Sequence, residues 1–111
     1  MPEDCKGYVI EKLKRYKRED IIFTHHALWR SVERYVDLVE LKRDLLDPKE
    51  LYAAHRLPAK RENEEKFKCF FKKSNRTTVG AVIVINKEIL VITVTKKRRK
   101  LNRTVRVYAK L

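Results

Sequence analysis

Two apolar runs constrain this chain more than anything else in it: residues 79–85, VGAVIVI, and residues 89–95, ILVITVT. Both are rich in β-branched side chains, which lose little freedom on a pleated surface. Each is too short for a membrane span, which needs ~18–20 apolar residues. Asn86-Lys87-Glu88 between them suits a short turn, so the pair predicts a hairpin of buried strands. A strand apolar on both sides needs cover on both sides. The rest of the chain must therefore supply helices, and a second copy or an added segment would complete the cover.

The flanking periodicity agrees. In residues 66–73, KFKCFFKK, Phe67, Cys69 and Phe71 alternate with Lys66, Lys68 and Lys72, the pattern of a half-buried strand. Residues 103–110, RTVRVYAK, alternate in the same way, with Arg106, Tyr108 and Lys110 on the polar side. Upstream the period lengthens to that of a helix. Val9, Leu13 and Tyr16 mark a helix over 8–18, followed by a brief strand at Ile21, Ile22 and Phe23. Thr24 is placed to cap a helix over 25–36, whose core stripe would be Leu28, Trp29, Val32, Tyr35 and Val36. Asp37 with Glu40 fits a capping box for a further helix carrying Leu38, Leu41, Leu45 and Leu46, and Asp47-Pro48 ends it. Residues 50–57 suit a strand or a last helical turn, the strand being favoured, and 58–65 a charged loop. The expected class is α+β: one domain of two layers, with N-terminal helices on one face of a 4–5-stranded antiparallel sheet.

Charge narrows the function. The 111 residues carry a net charge of +13. Residues 1–56 hold 12 basic and 11 acidic groups, whereas residues 57–111 hold 16 and 4. The excess therefore sits on the sheet half. A polyanion is the economical partner: RNA, DNA or an acidic protein. The same charge also suits a merely solvated surface. Lys66, Lys68, Lys72, Arg106, Tyr108 and Lys110 would gather on one sheet face, where cations meet phosphates and the tyrosine stacks a base or handles a proton. The run Lys96, Lys97, Arg98, Arg99, Lys100, followed by Arg103, is expected on a loop, as a phosphate grip, a localisation-type patch or a docking site for an acidic partner. His26, Arg30 and Arg34 at i, i+4, i+8 fall within an arc of ~80°. Two readings stay open for that stripe. It is an anion-binding or catalytic stripe with His26 as acid or base, or a solvated ion-pair face with the arginines on Glu33 or Asp37.

Cys5 and Cys69 lack zinc-ligand spacing, and the sheet half is poor in carboxylates, so neither a metal nor another cofactor is expected. The start, MPEDCKGY, has no signal-peptide pattern, and the expected location is cytoplasmic with no membrane contact.

Thr24-His25-His26-Ala27-Leu28-Trp29-Arg30 with Arg34, together with Val91-Ile92-Thr93-Val94, resembles a family of small proteins. Its members carry a T/S-x-H-A-x-x-R-x-x-x-R helix start and a V-I-T-V strand, and the family is placed near the BrnT and RelE/ParE-type toxins. The likeness runs over roughly residues 20–111, leaving 1–19 as a helical extension. It implies a RelE-like fold, RNA as the target, metal-independent cleavage through attack of the ribose 2′-OH, and an acidic antitoxin as partner. Basic and tyrosine side chains on the sheet and a nearby helix would do the work, which points to His26, Arg30, Arg106 and Tyr108 as catalytic. The chain departs from the family's ribonucleases in its extra N-terminal helix and in having no evident C-terminal helix.

Overall fold

The computed structural model describes residues 4–98. The strand expected over 103–110 and the basic residues Arg99, Lys100 and Arg103 lie outside the described residues, as do Arg106, Tyr108 and Lys110. Three helices precede most of the sheet: α1 (Lys6–Leu13), α2 (His25–Glu33) and α3 (Leu38–Leu46). The strands are β1 (Ile21–Phe23), β2 (Leu51–Leu57), β3 (Glu65–Lys72), β4 (Thr77–Ile85) and β5 (Ile89–Arg98).

Strands β2 to β5 form the expected antiparallel meander, with β4 central. The sheet as a whole is mixed. Strand β1 adds at the edge beside β5 and runs parallel to it, pairing Ile21 with Ile89 and Phe23 with Val91. A fully antiparallel sheet is thus corrected. Local sequence carries no signal for this pairing, because the partners lie far apart in the chain and parallel strands need no turn between them. Beyond Phe23, α2 takes over the edge of β5.

All three helices cover one face. Val9 and Leu13 of α1, Ala27 of α2, and Leu41 and Leu45 of α3 meet Phe67, Cys69, Phe71, Ala81, Ile83 and Val91 in one core. Helix α1 thus contributes Val9 and Leu13 to the same core as the rest of the chain. Burial pushes the Cys69 thiol up to about 12, which keeps it an inert core group. By strand register, Lys66, Lys68, Phe70 and Lys72 lie on the other face, with Thr78, Gly80, Val82, Thr93, Thr95 and Lys97. Phe70, Thr78 and Val82 on that face are buried as well. Gly80 answers a close approach there: a Cβ at this position would stand 2.5 Å from Thr95 Oγ1.

Side chains end the helices where local chemistry dictates. The Asp37 carboxylate accepts from the backbone N–H groups of Val39 and Glu40, and Pro48 follows the C-cap of α3. Strand β5 runs three residues further than its apolar stretch, to Arg98, so Lys96, Lys97 and Arg98 are strand residues rather than loop. The reason is pairing: Val79, Thr78 and Thr77 of β4 hold them in register.

One polar clasp joins α1 to the sheet. Glu65 accepts from the Tyr8 hydroxyl and from Arg56 Nη1 at 3.0 Å, and Lys12 Nζ stands 3.0 Å away. Burial alone would raise this carboxyl, but the three donors outweigh it and hold it at about 2, below its ordinary 4.5. A depressed carboxyl stabilises the fold fully above its unfolded pKa and loses that effect as pH falls through the folded one. Glu65→Gln is therefore expected to cost about 1–2 kcal/mol near neutral pH, after allowance for solvent screening. Urea titration at descending pH should show the cost fading between 4.5 and about 2; an unchanged difference at acid pH would refute the assignment.

Candidate nucleic-acid interface

The interface begins with how α2 sits. Its buried residues are Ala27 and Ser31, one turn apart. The expected core stripe is overturned: Leu28, Trp29, Val32 and Tyr35 are exposed, and of that set only Val36 is buried. Two clips explain this. At the N-terminus the Thr24 hydroxyl caps α2 by accepting from Ala27 N (3.0 Å) and donates to Ile92 O (2.9 Å). Ile92 is the extra residue of a β-bulge, lying between Val91 and Thr93, which pair with Ile83 and Val82. At the C-terminus Arg34 Nη1 donates to Val94 O at 2.9 Å. Clipped at both ends, α2 lies too near β5 for large side chains, and small ones take the contact.

The end of α2 is unusual. Val36 N donates to Ser31 O (2.9 Å) and Tyr35 N to Val32 O (3.5 Å), the paired bonds of a Schellman turn. The residue that turns the chain is Tyr35, at φ 55°, where glycine is the common choice. A side chain in this left-handed conformation costs roughly 1–2 kcal/mol. The Tyr35 ring is 80% exposed and does nothing for the core. Its carbonyl accepts from Lys96 Nζ at 3.1 Å.

This turn and the far end of β5 enclose an open groove of about 580 Å³, lined by Arg34, Tyr35, Lys96, Lys97 and Arg98. Four of the five are cations marked from sequence as phosphate contacts. Lys68 belongs to the same electrostatic group. Burial lowers its pKa first, and the charges of Arg34 and Lys97 lower it further. Lys66 and Lys72 share its sheet face by register.

The His26/Arg30/Arg34 stripe does not stay together. Arg30 Nη1 pairs with Glu33 at 3.1 Å on the helix surface, with its guanidinium 5.8 Å from the Trp29 ring. Arg34 turns to the sheet edge and bonds Val94 rather than Asp37. His25 and His26 stand exposed at the helix start. Of the residues assigned to catalysis, Arg106 and Tyr108 lie outside the described residues.

A second polar cluster lies on the helix-covered side, around a cavity of about 120 Å³ lined in part by Asp37, Leu41, Val79 and Lys96. Lys73 Nζ sits among Asp44, Glu40 (3.0 Å) and Glu50 (3.4 Å). Burial raises the Asp44 carboxyl even against Lys73. Burial also works against the Lys73 charge, but its bonds to Asp44 and Glu40 prevail and hold the ammonium above its ordinary value. Sequence reasoning passed over both residues, since Asp44 reads as one charge on a helix and Lys73 as one of many lysines.

Among the described residues no helix is long and apolar enough to cross a membrane. No family model, curated protein or solved structure matches the chain.

Proposed function

We propose that the protein binds RNA by its phosphate backbone, in the groove between the end of α2 and the end of β5. One observation carries this reading: Arg34 from a helix and Lys96, Lys97 and Arg98 from a strand line a single groove. Cations held together by the fold repel one another, and a phosphate chain relieves that repulsion while releasing its own counterions. Burial is the first cause of the lowered pKa of Lys68, and the charges of Arg34 and Lys97 lower it further. RNA is the polyanion favoured by the resemblance of the Thr24-to-Arg34 segment to a family placed near the BrnT and RelE/ParE-type toxins. In this reading the cations position the backbone and supply affinity rather than base selection.

The test is a titration of fluorescently labelled RNA with the full chain over a range of salt concentrations, in EDTA. Affinity should fall steeply and linearly on a log–log plot, with a slope reflecting about three to five phosphate contacts. Absence of binding at low salt would sink the proposal. The same samples, run on a denaturing gel, report on cleavage: fragments ending in cyclic phosphate would extend the reading from binding to 2′-OH-driven scission, with His26 and Arg30 as the first residues to replace.

A further inference from the structure

We propose that Tyr35 is a stacking platform for an unpaired base, so that the groove takes single-stranded RNA in preference to duplex. This inference rests on the phosphate-binding reading of the same groove. Three observations meet at Tyr35. Its backbone is held in the left-handed conformation, at φ 55°, where a glycine would sit without strain. The residue is 80% exposed, so burial does not compensate for that strain. It lines the groove of Arg34, Lys96, Lys97 and Arg98, and Lys96 holds its carbonyl. The fold would be better served by glycine. A tyrosine there adds an exposed aromatic residue to a groove lined by four cations, the combination that grips a single strand: cations follow the phosphates while a ring stacks a splayed base. Bases in a duplex are already stacked on one another and cannot use such a ring. Trp29, exposed on the preceding helix α2, offers a second ring with Arg30 close by.

The experiment compares single-stranded and duplex RNA of matched length by fluorescence anisotropy at low salt. Wild type is set against Tyr35→Gly, Tyr35→Leu and Tyr35→Phe, each also melted thermally. Tyr35→Gly should weaken single-strand binding by about tenfold and leave duplex binding within about twofold. Tyr35→Leu, which keeps bulk without an aromatic face, should lose as much, and Tyr35→Phe should bind like wild type. Tyr35→Gly should meanwhile melt at or above the wild-type temperature, since glycine relieves the strained turn. Opposite signs for stability and binding exclude simple unfolding as the cause. Unchanged single-strand affinity in Tyr35→Gly and Tyr35→Leu would overturn the stacking role while leaving the phosphate groove standing, as expected if the exposed face of α2 instead covers another protein. Equal losses on both RNAs would also overturn it. Failure of wild type to bind either RNA would remove the groove reading itself.

Discussion

Lys73→Ala is expected to cost about 3 kcal/mol or more near neutral pH, because it strips the cation from a buried carboxylate. Asp44 is 7% exposed, and the neighbouring Glu40 and Glu50 would repel it without Lys73 between them. Burial already raises the Asp44 carboxyl against the pull of Lys73, and removing that pull raises it further. A carboxyl raised in the folded state opposes folding above its unfolded pKa and stops opposing it once the unfolded chain is protonated too. The defect should therefore be largest at neutral pH and shrink on acidification. Asp44→Asn in the Lys73→Ala background should restore at least about half of the loss by removing the orphaned charge. Chemical denaturation of the single and double variants at two pH values checks each part. A single variant within about 1 kcal/mol of wild type would show that water screens the site and that the cluster is ornamental.

Lys96, Lys97 and Arg98 changed together to glutamine should weaken RNA binding on the order of a hundredfold at low salt and reduce the log–log salt slope by about two. The slope is the sharper measure, since it counts displaced counterions and is insensitive to small changes in fold. Lys60, Arg61 and Lys87, exposed and outside the groove, changed together to glutamine are the matched loss of three charges and should leave slope and affinity nearly unchanged. Arg34 is the wrong residue for this test: its guanidinium also clips α2 to Val94 O, so its removal would confound binding with packing. If the two triple variants lose affinity alike, the groove has no special role and net charge alone governs the interaction.

What could be read from sequence divides along a physical line. The Thr24 and Asp37 caps, the stop at Pro48 and the alternation of Phe67, Cys69 and Phe71 were all legible. Each depends on residues within a few positions of one another. The hairpin of β4 and β5 was legible in the same way, from two apolar runs and the turn between them. The orientation of α2 was not legible. Periodicity identifies the largest apolar side chains, Leu28, Trp29 and Val32, and assigns them to the core. Two hydrogen bonds to β5, sixty and sixty-eight residues away in sequence, turn Ala27 and Ser31 inward instead. The cations at 96–98 were singled out by their charge but placed on a loop, because charge pattern does not report pairing with Thr77, Thr78 and Val79.

The sequence by itself determined the α+β division, the position of most elements and the bias of positive charge toward the second half, since these follow from local periodicity and composition. Only the tertiary structure decided the parallel edge strand, the exposure of the apolar side of α2, the pairing of Asp44 with Lys73 and the strained turn at Tyr35 beside the basic groove. All four depend on which distant segments come to lie against each other, and the free energy of those contacts is a property of the packed chain rather than of any stretch of it.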